Sequence, residues 1–414
     1  MNANRVQDEK YLIISLGPAG SGKSTITADM IRVLCKRRGL TDELERIMFT
    51  QSFKSALIDD YVESDELFIK ESINATSTIL QNSNIGKYIP ELADKAAVIK
   101  YVDGITTLKT DGTINRDFCN TGPKDPSLSI YRDIEECAKI YSKIYMGARD
   151  RLSYIMDADM ERWFSAGENI IFETTGMSDF SWIFQLRSFQ ESYVRDNYVV
   201  YLVYPYVDRK TILVRGLHRF ALSVDSFIRF IAEHVDPHAE DQLAQRYQAM
   251  SDYCRFLASN AEVKAPRLVS LVCNPQGNVY DVVDRVQNNI AAYVADCVNG
   301  SPDPSHKNRL GSLLFYDNND APVSTSGRIQ PLIVVNFSCD HTSVEYDETR
   351  CTSVEGFIAK YRDQLTPDFT SMLTHIRNTE CSMVQTDKDP QAGGADYKYK
   401  YIKYKAKYLN ECYS

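Results

Sequence analysis

The residues with the clearest chemical meaning lie near the start of the chain, where residues 17–24 read GPAGSGKS. This octet matches the pattern GxxxxGK followed by Ser or Thr, whose glycines let successive backbone N–H groups point at phosphate oxygens. In this pattern Lys23 reaches the β- and γ-phosphates, and the Ser24 hydroxyl is a Mg²⁺ ligand. The motif therefore predicts a site for ATP and Mg²⁺. The predicted nucleotide-binding residues are Gly17, Pro18, Ala19, Gly20, Ser21, Gly22, Lys23, Ser24 and Thr25.

The segments on either side of this octet have the form that the motif requires. Residues 11–16 (YLIISL) are an apolar run typical of a strand that is buried on both faces. Within residues 24–35 the apolar side chains crowd one side of a helical wheel. Strand, glycine-rich loop and helix thus follow in the order that directs a helix N-terminus at phosphate. The alternative, a glycine-rich turn without a ligand, is disfavoured by this agreement.

Further apolar runs alternate with helical stretches along the chain. They predict strands at residues 47–49, 169–172, 198–204 and 312–316, and a late strand at 331–337. Residues 133–166 predict a long helix with a break near Gly147 and a C-terminal cap at Gly167. The alternation predicts an α/β fold of the P-loop NTPase type, with a doubly wound, mainly parallel sheet flanked by helices.

Two aspartates follow the predicted second strand. Asp59 and Asp60 lie in the segment LIDDY, where small-molecule kinases place the carboxylate that accepts the proton of an acceptor hydroxyl. We predict Asp59 as the catalytic base, with Asp60 in reserve on the substrate side. The alternative is a helix N-cap or a solvated turn, since aspartate is common in both.

A third acidic position ends the predicted strand at 169–172. Residues 169–176 read NIIFETTG, so Glu173 lies at the carboxyl end of a strand, where sites of α/β proteins are found. We predict that Glu173 orders Mg²⁺ or water, and that Thr174 and Thr175 offer hydroxyl groups to a substrate. The alternative is a structural carboxylate that caps the next helix.

Three arginines, Arg209, Arg215 and Arg219, follow the run at residues 198–204. The i,i+4 spacing of Arg215 and Arg219 puts both guanidinium groups on one face of a helix. Such a pair is suited to a lid that clamps phosphates, and we predict a catalytic role for both. Ordinary solvated surface arginines are the alternative.

Composition limits the classes of protein to which this chain can belong. The chain has 414 residues, with 43% hydrophobic and 25% charged, which is typical of a globular protein. The formal net charge of −9 excludes a global attraction to nucleic acid or anionic lipid. No apolar stretch approaches the roughly 18–20 residues of a membrane-spanning helix.

The cysteines and the N-terminus bear on the compartment and on metals. Ten cysteines without CxxC spacing, and a start without an apolar leader, predict a cytoplasmic, non-secreted protein with reduced thiols. Cys339, His341 and Cys351 form a loose Cys/His group whose spacing does not predict zinc. Residues 391–414 are a flexible spacer and a tail rich in Lys and Tyr, which predicts contact with RNA, a membrane surface or a protein, or a short amphipathic helix.

Taken together, GPAGSGKS, the IDD segment, GENIIFETTG and the stretch VVYLVYPYVDRKTILVRGLHRF resemble the zeta-toxin family of P-loop kinases. The resemblance covers about residues 8–225. It implies ATP-dependent phosphorylation of a sugar hydroxyl of a nucleotide sugar such as UDP-N-acetylglucosamine, with Lys23 on phosphate, Asp59 as base and Arg215 or Arg219 on the γ-phosphate. The basic residue that often follows the strand-2 aspartate in that family is missing here.

The sequence also indicates how the chain divides. Residues 1–325 are expected to form the kinase domain with an insertion around 70–130, residues 326–390 an extension, and 391–414 the spacer and tail. The tail resembles segments at the ends of many proteins of nucleocytoplasmic large DNA viruses, which implies a viral protein in the host cytoplasm.

Three other readings stay open. A polynucleotide 5′-hydroxyl kinase uses a similar loop and aspartate but needs a basic channel for the strand. A non-catalytic nucleotide-binding interaction module predicts ATP binding without turnover. A motor ATPase requires a neighbour's arginine finger, and no second module of that kind is readable.

Overall fold

The computed structural model describes residues 10–105, 130–176, 183–184, 186–190, 198–260, 263–268, 279–299, 312–319, 333–337, 342–345 and 348–386. The strands are β1 (Lys10–Leu16), β2 (Phe53–Leu57), β3 (Asn169–Thr174), β4 (Tyr198–Tyr206), β5 (Ser312–Asp317), β6 (Ile333–Phe337) and β7 (Thr342–Glu345). The helices are α1 (Lys23–Arg37), α2 (Glu43–Gln51), α3 (Ile58–Ser64), α4 (Glu66–Asn82), α5 (Ile89–Leu92), α6 (Lys95–Ile105), α7 (Ile130–Ser165), α8 (Arg187–Gln190), α9 (Arg209–His234), α10 (Gln242–Ser259), α11 (Val279–Asn299), α12 (Glu348–Tyr361) and α13 (Pro367–Thr386).

The strands form one sheet in the order β2-β3-β1-β4-β5-β6-β7. The first five strands of this order are parallel, and β6 and β7 add an antiparallel edge. Strand β1 lies between β3 and β4, with Leu12 in register with Ile170 on one side and Val200 on the other. The chain turns to opposite sides of β1 as it runs on to β2 and to β4, so the carboxyl end of β1 is a topological switch point. The predicted α/β fold with a parallel sheet flanked by helices is confirmed at this level.

Apolar side chains explain why β1 is the middle strand of the five parallel strands. Every residue of β1 after Lys10 is buried, as expected for a strand covered on both faces. On one face the α1 side chains Ile26, Met30 and Leu34 pack with Tyr11 and Ile13 in a single cluster. The apolar side chains of α1, which recur every 3.6 residues, therefore pack in one core with the side chains on one face of β1, which recur every two residues.

Two predicted details are wrong. Residues 47–49 lie inside helix α2, where Asp42 caps the N-terminus by accepting N–H groups of Leu44 and Glu45, and the second strand is Phe53–Leu57 instead. A run of three apolar residues cannot distinguish a strand from one turn of helix. Helix α7 continues through Gly147 without a break, because an exposed glycine lowers helix stability without ending the helix.

The predicted cap at Gly167 is confirmed. Gly167 has φ 65°, its N–H donates to the Phe164 carbonyl, and the Glu168 N–H donates to the Trp163 carbonyl. These two bonds form a Schellman motif, which ends α7 directly before β3.

The chain divides into two compact units. The first combines the described residues up to Ala56 with Asp159–Val207 and those from Asp284 on, and it contains the sheet. The second combines Leu57–Ala158 with Asp208–Val283 and is helical. Its core includes Phe68, Ile73, Tyr145, Phe227 and Tyr253. The helices α4, α5 and α6 of this unit occupy the described part of the predicted insertion at 70–130.

The C-terminal helices belong to the first unit. Phe357 and Tyr361 of α12 contact Tyr206 at ring-centroid distances of 5.0 Å each, and Phe369 of α13 lies 5.8 Å from Tyr204. The Gln287 side chain joins α11 to the same region by accepting the Thr366 N–H at 2.8 Å. The extension at 326–390 thus contributes core to the sheet. Cys339, His341 and the tail at 391–414 lie outside the described residues.

In the described part of the chain, no helix combines the length and the apolar character needed to cross a bilayer.

Candidate functional site

Residues 17–24 form a tight loop between β1 and α1. The Gly17 N–H donates to the Thr174 carbonyl at 3.2 Å, which ties the start of the loop to the end of β3, and the Ser21 N–H donates to the Pro18 carbonyl at 3.1 Å. Gly17 has φ 142° and Gly22 has φ 85°, and residues other than glycine rarely adopt these backbone conformations. The Lys23 ammonium donates to the Gly17 and Pro18 carbonyls at 2.8 and 3.2 Å. The loop is therefore closed over its own lysine at the switch point.

The predicted metal ligands, Ser24 and Glu173, lie together. The Ser24 hydroxyl donates to the Glu173 carboxylate at 3.3 Å, although 149 residues separate them in sequence. Glu173 is only 9% exposed, and Ser24 is exposed. Hydroxyl and carboxylate oxygens are the donors that Mg²⁺ prefers, and Mg²⁺ is typically bound by one or two such groups plus substrate phosphates and water. The described ranges contain no cluster of three or more His, Cys, Asp or Glu that could hold a metal ion. The binding of Mg²⁺ by Ser24 and Glu173 stays a prediction.

Strand β5 contributes a residue that the sequence reading missed. The Asn318 side chain donates to the Ser21 carbonyl at 2.7 Å, and Asn318 is only 4% exposed. The sequence predicts the strand at 312–316, but an asparagine that follows a strand belongs to no motif, and only the sheet order brings Asn318 to the loop.

Thr174 and Gly176, which follow Glu173, take part in hydrogen bonds at the end of β3. The Thr174 hydroxyl accepts the Gly176 N–H at 3.3 Å, and the Asn289 amide donates to the Gly176 carbonyl at 2.8 Å. Both Thr174 and Thr175 are partly exposed beside Glu173 in sequence. Their predicted contact with a substrate stays a prediction.

Asp59 lies in the second unit, at the second residue of α3. One carboxylate oxygen accepts the Tyr145 hydroxyl at 2.5 Å, and the other accepts the Arg267 guanidinium at 2.9 Å. Arg267 also pairs with Glu63 at 3.2 Å and stacks on the Tyr145 ring at 5.3 Å. Asp59 is not a helix N-cap, since Leu57 has that position. The Asp59 carboxylate is instead part of a network of hydrogen bonds and ion pairs that no sequence motif predicts.

Burial and the charge of Asp59 act in opposite directions on the pKa of Arg267 and in the same direction on the pKa of Tyr145. Burial lowers the pKa of Arg267, but the Asp59 and Glu63 carboxylates outweigh it, and the pKa of the guanidinium is raised. Burial, followed by the charge of Asp59, raises the pKa of Tyr145. Arg267 is therefore a permanent cation and Tyr145 a neutral donor to Asp59. Asp60 is exposed on the same helix.

The predicted arginine pair is on helix α9 of the second unit. Asp208 caps this helix by accepting the Thr211 N–H at 2.9 Å. Arg215 is half-buried, and burial lowers its pKa against the opposing charge of Asp208, whereas Arg219 is exposed. The helix and the i,i+4 placement are as predicted, and the phosphate clamp stays a prediction.

Comparisons with protein-family models, with curated proteins and with solved structures gave no match for this chain.

Proposed function

We propose that this protein is a P-loop phosphotransferase that binds Mg-ATP in its first unit and transfers the γ-phosphoryl group to an alcohol. The observation that carries the proposal is the junction of the glycine-rich loop with Ser24 and Glu173, which bond at 3.3 Å at the carboxyl ends of β1 and β3. A phosphate cradle, a lysine and a paired hydroxyl and carboxylate are together what a magnesium-nucleotide site requires.

The loop residues act mainly by positioning. Backbone N–H groups of the loop and the N-terminus of α1 would hold the phosphate oxygens, and the Lys23 ammonium would move from its loop carbonyls to the β- and γ-phosphates. Ser24 and Glu173 would hold Mg²⁺. Bound there, Mg²⁺ supplies charge neutralisation for the phosphates and for the ADP that leaves.

The transfer forms one bond and breaks one. An acceptor oxygen bonds to the γ-phosphorus while the bond from that phosphorus to the bridging oxygen breaks, and ADP carries away the electron pair. The acceptor proton requires a base, and Asp59 is our candidate. Arg215 and Arg219 are candidates for contact with the γ-phosphate. Because the chain resembles zeta toxins, a nucleotide sugar such as UDP-N-acetylglucosamine is the first acceptor to test.

A second candidate function is supported by the contacts of Asp59. Both of its carboxylate oxygens accept strong donors, Tyr145 and Arg267, and such bonds stabilise the ionised form and reduce basicity. This observation favours a nucleotide-binding interaction module in which ATP binding has no acceptor-dependent turnover.

One experiment separates the two. Binding of Mg-ATP is measured first by calorimetry. The protein is then incubated with Mg-ATP and a panel of UDP-N-acetylglucosamine, other nucleotide sugars, nucleosides and 5′-hydroxyl oligonucleotides, and both ADP release and acceptor mass are followed. Lys23→Ala and Asp59→Asn serve as site variants, and Lys143→Ala, an exposed lysine on α7, is the matched control. A phosphate added to one acceptor, lost in both site variants and kept in the control, supports the kinase. Binding without turnover supports the module, and no nucleotide binding refutes both.

A further inference from the structure

Asn318, the residue after strand β5, contacts the phosphate-binding loop through its buried side-chain amide. The Asn318 side-chain nitrogen donates to the Ser21 carbonyl at 2.7 Å across 297 residues of sequence. At 4% exposure the Asn318 side chain is shielded from water, so this bond has little competition from solvent. Nothing in the glycine-rich motif itself specifies a partner on this side.

The chemistry fixes which end of the amide faces the loop. A carbonyl oxygen accepts hydrogen bonds and cannot donate, so the group that meets Ser21 must be the NH₂ of Asn318. An aspartate of the same shape would present an oxygen to an oxygen. The site is therefore selective for an amide over a carboxylate.

This bond also sets the direction of the following N–H group. The peptide between Ser21 and Gly22 is trans, so its C=O and N–H point in opposite directions within one plane. With the Ser21 carbonyl held toward Asn318, the Gly22 N–H is directed away from Asn318. In this type of loop that N–H is one of the donors to phosphate.

The fit around Gly22 is close. A Cβ atom added to Gly22 would overlap the Asn318 amide nitrogen and lie 3.6 Å from its Cγ. The two residues therefore constrain each other, because Gly22 has φ 85° and a Cβ at this position would overlap the Asn318 amide where it stands.

The backbone of Asn318 and its two neighbours in sequence are fixed by hydrogen bonds of their own. The Asn318 backbone N–H donates to the Tyr206 carbonyl at 2.9 Å, in line with the pairing of β4 and β5. The neighbouring Asp317 carboxylate accepts the Asn319 amide at 2.6 Å and the Tyr361 hydroxyl of α12 at 3.4 Å. The amide is therefore supported by the sheet and by the C-terminal extension, as a positioning group must be.

We propose that Asn318 is a positioning residue for the nucleotide phosphates, which acts by holding the Ser21–Gly22 peptide in its phosphate-binding orientation. The inference rests on the proposed nucleotide-binding function. Without the amide donor this peptide can rotate, and only the fraction of molecules with the competent orientation binds phosphate. The apparent dissociation constant rises by the inverse of that fraction.

The test measures Mg-ADP binding to the full-length protein by calorimetry. Asn318→Asp replaces the donor by an acceptor, and Asn318→Ala removes it. The loss of a buried hydrogen bond predicts an affinity about tenfold lower for Asn318→Ala and about a hundredfold lower for Asn318→Asp. Asn74→Asp makes the same chemical change at an exposed site on α4 and should bind like wild type.

Unfolding without nucleotide is followed in parallel, and binding is measured where each variant is fully folded. If Asn318→Asp does not fold, Asn318→Ala decides by the same criterion. In an active enzyme, KM for ATP should rise while KM for the acceptor stays unchanged, which a merely structural defect would not produce. Wild-type affinity in folded Asn318 variants overturns this inference and leaves the nucleotide site intact. No binding by wild-type protein overturns the proposed function and, with it, the inference.

Discussion

Replacing Arg267 by methionine tests the buried network around Asp59. Methionine keeps much of the length of the side chain and removes its charge, so the Asp59 and Glu63 carboxylates lose a shared cation that is paired at 2.9 and 3.2 Å. The side chain of Arg267 is 9% exposed and that of Glu63 13%, so neither charge is well solvated. We expect the second unit to lose stability because the two carboxylates lose the cation that they share.

The magnitude follows from burial. Removal of one partner of a buried ion pair costs about 3–5 kcal/mol. Two features here reduce the loss: Lys264 still pairs with Glu63 at 2.7 Å, and the Asp59 side chain is 39% exposed and can be hydrated. We therefore expect the lower end of the range, about 3 kcal/mol. The contact of the guanidinium with the Tyr145 ring is lost as well.

Urea unfolding followed by circular dichroism measures the loss, and hydrogen exchange in α3 assigns it to the second unit. The matched control is Arg255→Met, since Arg255 pairs with Asp252 on the surface and is 73% exposed. Exposed pairs of this kind contribute less than about 1 kcal/mol. Equal destabilisation by the two substitutions would refute the view that the buried Arg267 guanidinium neutralises the Asp59 and Glu63 carboxylates.

Two further predictions concern single residues of α7. Gly147→Ala should raise the free energy of unfolding by about 0.5–1 kcal/mol in urea titrations, since the position is helical and an added Cβ meets nothing within 4 Å; unchanged or lower stability would contradict this. Burial, with Asp133 and Glu136 adding to it, raises the pKa of the Cys137 thiol to about 12 from its ordinary 9.0. A thiol reagent at about pH 8 should therefore modify Cys137 only after unfolding, and rapid labelling of the native protein would contradict this prediction. Because the folded state holds the thiol proton more tightly than the unfolded state, the contribution of Cys137 to stability is present below pH 9.0 and declines above that pH.

The glycine-rich motif and its flanking strand and helix could be predicted because they are local. The octet from Gly17 to Ser24, the apolar run of β1 and the amphipathic face of α1 each depend on neighbours in sequence. The same is true of the cap at Gly167, where a glycine directly follows a helical pattern. The prediction of a strand at 47–49 is wrong because a short apolar run does not distinguish a strand from a helix. The flanking signal, the helix N-cap Asp42, indicates a helix.

The contacts that complete the candidate sites could not be predicted from sequence. Asn318 meets Ser21, and Arg267 meets Asp59, across 297 and 208 residues. Neither pair belongs to a motif with fixed spacing, and an arginine or asparagine in a loop is most often solvated. Glu173 was predicted because the carboxyl end of a parallel strand is a favoured place for functional groups, but its bond to Ser24 required the strand order.

The central position of β1 has a consequence for synthesis on the ribosome. Tyr11 bonds to Asn169, 158 residues further along the chain, and the strand on the other side of β1 comes later still. At about 5–20 residues per second, β1 waits on the order of ten seconds for its first neighbour. During this time a run of six apolar or small residues with high strand propensity has no partner, which is the type of segment that associates with other chains. The nascent protein should thus depend on chaperones most strongly before residue 174 leaves the exit tunnel.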